Sequence, residues 1–250
     1  MQCDTAWKSW VSRTISIQRA ENQLPIRPRI SEGGVIEGVR KVPSPNCDER
    51  PAGGAIDLVV IHYISLPPGE FGGPGIIEHF TNRLDPSAHP FYASIAGAKV
   101  SAHFLVRRDG ELIQFVPCVK RAWHAGESSW KGKTRCNDFS IGIEMEGTGE
   151  APFTAAQYRR LAALTRVLRA RYPIRDIAGH SDVAPGRKTD PGPHFDWARY
   201  RALLKNKAEP QRTRRTPRKS RNRTAKNAKK TKTRFRTAKA PRRQSKSKQD

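Results

Sequence analysis

Ile56-Asp57-Leu58-Val59-Val60-Ile61-His62 is a short, nearly all-apolar run closed by a histidine. Its length and its Val/Ile content predict a strand buried on both faces, the kind found in the middle of a sheet covered on each side by helices. In open α/β sheets ligands gather beyond the carboxyl ends of such strands, which makes His62 the first residue to watch. Ser140 to Glu146 supplies a second strand, with Ile141, Ile143 and Met145 on one face and Gly142, Glu144 and Glu146 on the other.

Around these two strands the remaining elements alternate. Pro74 to Leu84 reads as a helix carrying Ile76, Ile77 and Phe80 on one side. Ala102 to Arg107 and Glu111 to Val116 read as a hairpin turned at Asp109-Gly110, a pair suited to a two-residue turn. Thr154 followed by Gln157 forms a capping-box start. Tyr158, Leu161, Leu164, Leu168 and Tyr172 then continue at helical spacing until Pro173. Asp176 to His180 reads as a last strand and Phe195 to Leu204 as a closing helix. Interleaved strands and helices predict an α/β fold (α+β in some schemes): a single domain with a mixed central β-sheet and helices on both faces, followed by a disordered C-terminal tail.

Composition divides the chain. From Lys205 to Asp250, 20 lysines and arginines face only Glu209 and Asp250, a net +18 of the total +24, which leaves +6 for the preceding 204 residues. That tail has one aromatic, Phe235, and cannot bury enough apolar surface to fold alone. It reads either as a solubilising segment or as a salt-dependent, non-specific contact for nucleic acid. Three regions are expected: 1–37 as an N-terminal extension, 38–204 as the folded domain and 205–250 as the tail. For the extension, a start-site artefact is expected, with translation beginning near Val35. Cys3, Cys47, Cys118 and Cys136 make no C-x-x-C pair and no dense framework, which excludes a cysteine zinc cluster and suits a reducing compartment. Charges at Lys8, Arg13, Arg19 and Glu21 break any secretory h-region, and no run approaches a membrane span. A cytoplasmic protein without membrane contact is expected.

Two further segments stand out beside His62: Ala178-Gly179-His180-Ser181-Asp182 and Arg187-Lys188-Thr189-Asp190-Pro191-Gly192-Pro193. A first-row metal with an open coordination position needs three protein ligands, commonly imidazoles and a carboxylate. None of the seven histidines lies in a His-Glu-x-x-His spacing, so residue types alone leave each one a structural group as readily as a ligand.

The surrounding text is more specific. Ile64-Ser65-Leu66-Pro67-Pro68-Gly69-Glu70-Phe71-Gly72-Gly73, Val100-Ser101-Ala102-His103-Phe104, Arg121-Ala122-Trp123-His124-Ala125-Gly126, Cys136 to Gly147 and Gly186 to Pro193 together resemble the zinc-dependent N-acetylmuramoyl-L-alanine amidases of the AmpD type. The resemblance runs in order from about Gly38 to about Leu204. It implies one Zn2+ held by His62, His180 and Asp190, with Glu144 and Lys188 as the catalytic carboxylate and lysine. It implies hydrolysis of the amide between (anhydro-)N-acetylmuramic acid and the L-alanine of a stem peptide, in cytoplasmic peptidoglycan recycling by a monomer. Lys99, Arg135 and Arg187 are candidates for the carboxylates of an anhydro-muropeptide, and Trp123 and His124 for its sugar. Two departures concern substrate recognition: Tyr63 stands where the family has asparagine, and Lys99 where arginine is expected, and a lysine cannot form a bidentate clamp. The competing readings are a non-catalytic peptidoglycan-binding module of the same fold, and a domain serving a nucleic-acid-tethered tail.

Overall fold

The computed structural model describes residues 29–205. The expected tail beyond Lys205 and the first 28 residues of the expected extension lie outside the described residues. In chain order the elements are β1 (Arg40–Lys41), β2 (Cys47–Glu49), β3 (Leu58–Ile64), α1 (Gly75–Phe80), α2 (Pro90–Ser94), β4 (Phe104–Val106), β5 (Leu112–Gln114), β6 (Lys120–Ala122), β7 (Ser129–Trp130) and β8 (Lys133–Thr134). A 3-10 turn at Cys136–Asp138 leads into β9 (Ser140–Glu146), α3 (Ala155–Arg171), β10 (Asp176–Gly179), α4 (His180–Val183) and α5 (Trp197–Lys205).

The central sheet has six strands in the order β1-β5-β4-β9-β3-β10. β3 lies between β9 and β10 and is parallel to both, β4 is parallel to β9, and β5 runs antiparallel to β4, so the sheet is mixed as expected. Leu58 to Ile61 are fully buried because helices or loops cover both faces of β3. On one face, Val59, Ile61, Ile141, Ile143, Met145 and Phe104 pack against Tyr158, Leu161, Leu164 and Leu168 of α3 and Tyr200 of α5. The other face carries two separate apolar clusters. Leu105 and Ile113 meet Ile76, Ile77 and Phe80 of α1 and Tyr92 of α2, while Leu58, Val60 and Ala178 meet Ala125, Phe139 and Val183. Between the two clusters that face turns polar, with His103, Gly142, Glu144 and His62.

The long helix α3 starts as its sequence predicts. Thr154 Oγ1 accepts from the Gln157 amide (3.1 Å) and Gln157 Oε1 accepts from the Thr154 amide (3.0 Å). Such a cap stabilises a helix by about 1 kcal/mol. Here it does more, since Gln157 Nε2 donates to the carbonyls of Val106 and Glu146 and fixes the helix start to the ends of β4 and β9.

Several local expectations are corrected. α1 stops at Phe80 instead of running to Leu84, because Asn82 adopts a left-handed conformation (φ 58°) and Thr81 Oγ1 caps the Ile77 carbonyl. The hairpin loop has three residues, not two: Arg107 pairs with Glu111, and only Gly110 has a positive φ (90°). β10 ends at Gly179, and His180 opens α4. The closing helix begins at Trp197. Ile30 to Ile36, placed in the extension from sequence, is built into the body. Ile30 bridges to Ile36, which is fully buried, and the Gln114 side chain accepts from the Ile36 amide (2.9 Å) and donates to the Gly34 carbonyl (2.9 Å).

Candidate metal centre

His62 lies near the carboxyl end of β3, and His180 begins α4 immediately after the parallel neighbour β10. Asp190 is brought back to them by its carbonyl, which accepts from the Ser181 amide at 2.8 Å. The two histidine Nδ1 atoms are 2.9 Å apart, and each is 3.1 Å from Asp190 Oδ2. All three residues are buried.

The partners of the opposite ring nitrogens decide what these atoms can do. His180 Nε2 faces the Ala125 carbonyl at 3.2 Å, an acceptor only, so Nε2 carries the proton and Nδ1 keeps a lone pair. His62 Nε2 faces His124 Nδ1 at 3.0 Å. Two imidazole lone pairs and a carboxylate oxygen turned on one point form a donor set that suits zinc. Tetrahedral ligands at 2.0–2.1 Å from zinc sit about 3.3 Å from one another, close to the separations here. Among the described residues, His62, His180 and Asp190 form the cluster that could hold a metal ion.

The electrostatics agree with such a donor set. Burial pushes His62 down to about 4 despite the neighbouring Asp190 carboxylate, so its ring is uncharged near neutral pH. Burial alone would raise Asp190, but the close His180 and His62 rings hold its carboxyl below the usual range.

Glu144 is the strand partner of His62 across the β3–β9 ladder. It is buried, and its Oε2 has no hydrogen-bond partner, an uncommon state for a carboxylate. Burial, followed by repulsion from Asp190, raises its pKa well above the ordinary value, and the positive charge of Lys188 opposes both. Lys188 itself is exposed and makes no ion pair among the described residues. Glu146, two residues on and on the same strand face, is placed quite differently. Its carboxylate accepts from Arg107 Nη1 (2.9 Å) and from the amides of Gly72 (2.8 Å) and Arg108 (3.0 Å), so it organises the loop after β3.

The residues expected to touch substrate are dispersed. Tyr63 leaves β3 on the face opposite His62 and lies beside Gly149 and Gly192. Trp123 Nε1 donates to Asp48 at 3.1 Å. Arg187 Nη2 donates to the Ala125 carbonyl at 2.6 Å, tying the loop after α4 to the loop that supports His180. Arg135 pairs with Asp138 (3.1 Å) and Lys99 is exposed. His124 is not where the sequence suggested. Its ring lies under His62, with Nδ1 against His62 and Nε2 3.1 Å from Ser140 Oγ, so both nitrogens are engaged within the protein. Sequence reasoning missed Ser140, the Ala125 carbonyl and Asn137, whose Oδ1 accepts from the His124 and Ala125 amides. These act through a carbonyl, a small hydroxyl or a side-chain amide that holds backbone groups, none of which leaves a periodic pattern in a sequence.

Comparison with known proteins bears on this geometry. Residues 52–193 match the N-acetylmuramoyl-L-alanine amidase family. The chain is 59% identical over 175 residues to the 1,6-anhydro-N-acetylmuramyl-L-alanine amidase AmpD of Escherichia coli K12, covering 69% of this chain and 96% of that protein. To the AmpD of Haemophilus influenzae it is 49% identical over 177 residues, covering 70% and 96%. The crystal structure of a selenomethionine derivative of AmpD superposes with a TM-score of 0.68 at 58% identity, covering 69% of this chain and 98% of that one.

Proposed function

Because the chain belongs to the N-acetylmuramoyl-L-alanine amidase family, we propose that it hydrolyses the amide bond between anhydro-N-acetylmuramic acid and the L-alanine of a stem peptide, within peptidoglycan recycling in the cytoplasm. The observation that carries this reading is the convergence of His62 Nδ1, His180 Nδ1 and Asp190 Oδ2 beside the unpartnered Glu144. His62, His180 and Asp190 would hold one zinc ion, which supplies Lewis acidity and makes hydroxide available near neutral pH.

Glu144 takes a proton from the attacking water as it adds to the carbonyl carbon, then delivers one to the departing alanine nitrogen. Its raised pKa suits both transfers, since a base that must return its proton works best with a pKa closer to the operating pH. Lys188, whose charge is felt at Glu144, places a cation beside the carbonyl oxygen as negative charge develops there. Among the basic candidates for the carboxylates of the stem peptide, Lys99 is exposed and carries no ion pair among the described residues. Tyr63 and Trp123 are proposed to shape recognition of the sugar. The complete set of His62, His180, Asp190, Glu144 and Lys188 favours an enzyme over a non-catalytic binding module.

No helix among the described residues is long and apolar enough to cross a membrane. The net +18 of residues 205–250 supports a second, separate property, non-specific and salt-dependent contact with nucleic acid. Removal of residues 206–250 should abolish that contact and leave hydrolysis intact.

The test is mass-spectrometric cleavage of anhydro-muropeptide by the purified protein, as isolated, after chelation and after zinc is returned. Release of anhydro-sugar and free stem peptide, lost on chelation and restored by zinc, is the expected result. A protein that binds zinc and cleaves nothing refutes the enzymatic reading.

A further inference from the structure

His62 can donate to a metal from Nδ1 only in the tautomer that carries its proton on Nε2. What selects that tautomer is the atom facing Nε2, and here that atom is Nδ1 of a second imidazole, His124, at 3.0 Å. Two imidazoles share one proton across this contact, so the pair has two directions. In one, His62 Nε2–H donates to His124, and His62 Nδ1 is a donor for metal. In the other, His124 Nδ1–H donates to His62, the His62 proton moves to Nδ1, and the site loses a ligand.

The surroundings of His124 accommodate the first direction. Ser140 Oγ, 3.1 Å from His124 Nε2, gives a proton on that nitrogen an acceptor. The backbone of His124 is pinned by Asn137 Oδ1. The ring lies flush on β9 because residue 142 is glycine: a Cβ there would fall 2.4 Å from His124 Cγ. His62 and His124 meet edge to face, with ring centroids 5.0 Å apart.

We propose that His124 is a positioning residue for the metal centre: its ring, with a proton on Nε2 toward Ser140, holds His62 in the tautomer and orientation that present Nδ1 to zinc. Its counterpart on the other ligand is the Ala125 carbonyl, which does the same for His180. One peptide segment, His124-Ala125, therefore orients both histidine ligands, the first through a side chain and the second through its backbone. The proposal rests on the reading of His62 as a ligand.

Three proteins compared by zinc competition against a chromophoric chelator test it: the full-length wild type, His124→Leu and His124→Asn. Loss of a group that orients a ligand typically costs about 10- to 100-fold in metal affinity. His124→Leu should show a loss of that size. His124→Asn, whose amide oxygen stands where Nδ1 was, should recover a large part of it. Equal weakening in both variants, or His124→Leu within about twofold of wild type, overturns the proposal. Should a variant fail to fold, nitrogen-15 histidine spectra of zinc-loaded wild type decide the same point. Protons on Nε2 of both His62 and His124 are expected, and a proton on His124 Nδ1 refutes it. Wild-type protein that takes up no zinc overturns the metal reading as well, whereas zinc-binding wild type with an unaffected leucine variant overturns this inference alone.

Discussion

His62 on β3 and Glu144 on β9 are direct partners in a parallel ladder, so both side chains leave the sheet on one face at its carboxyl end. Neighbouring strands lie about 4.8 Å apart, which brings the imidazole proposed as a metal donor and a carboxylate close together. The hydrogen bonds that set this register are the same ones that hold β3 in the centre of the sheet, so the geometry of the proposed site inherits the rigidity of the core.

Glu144→Gln should retain zinc and lose hydrolysis. The amide keeps the shape of the side chain and cannot accept and return a proton, and general acid–base groups contribute about 10²–10⁴-fold. Rates on anhydro-muropeptide together with metal analysis check this. A variant within tenfold of wild type would remove Glu144 from the mechanism.

Lys188→Ala should lower kcat by about a hundredfold or more, the usual cost of losing an oxyanion partner. It should also shift the pH profile. The Lys188 charge opposes the rise of the Glu144 pKa, so its removal raises that pKa further and moves the acid limb of kcat/KM to higher pH. An unmoved acid limb would show that the two groups are not coupled in the working enzyme.

Gly142→Ala tests the packing beneath the site. The glycine has no positive φ, so the added methyl acts only through its collision with the His124 ring. Overpacking of this kind costs about 1–3 kcal/mol, and the displaced ring should also weaken zinc binding. Urea denaturation and chelator competition read the two effects, and unchanged zinc affinity would show that His124 can shift without consequence for His62.

His103 makes stability depend on pH. The Gly142 amide donates to its Nδ1 at 3.0 Å and its Nε2 faces the Lys120 carbonyl at 3.2 Å, so a second proton would oppose an N–H directly. Burial, reinforced by the Arg50 charge, holds its folded pKa well below the ordinary imidazole value of 6.5. Well above pH 6.5 the ring is neutral in both folded and unfolded chains and the stability is fully present. As pH falls through 6.5 the unfolded chain takes up a proton that the folded chain refuses, so stability declines until the folded pKa is reached. Denaturant titrations at descending pH should show this decline and a shallower one in His103→Gln. Identical slopes would mean that other groups carry the acid sensitivity.

Much of this protein is legible in its sequence because the governing rules are local. The apolar run at β3, the period-two alternation of β9 and the capping box of α3 each report how a segment meets the core, and the architecture follows from their order. The residue types of the proposed centre, His62, His180, Asp190, Glu144 and Lys188, stand in recognisable text. Tertiary structure decided what each of them faces. Glu144 and Glu146 share a strand face and differ only in that one is left unpartnered while Arg107 and two amides satisfy the other. Tyr63, adjacent to His62 in sequence, leaves on the opposite face of the strand. His124 lies under His62 because β9 offers a glycine and a serine at the right register. Residues 30–36 join the body through the Gln114 side chain, the Cys118 amide and the burial of Ile36, all supplied by segments far along the chain. Periodicity states which side of an element is buried. Which partner waits there depends on pairing between segments separated by tens of residues, and that is settled only when the sheet closes.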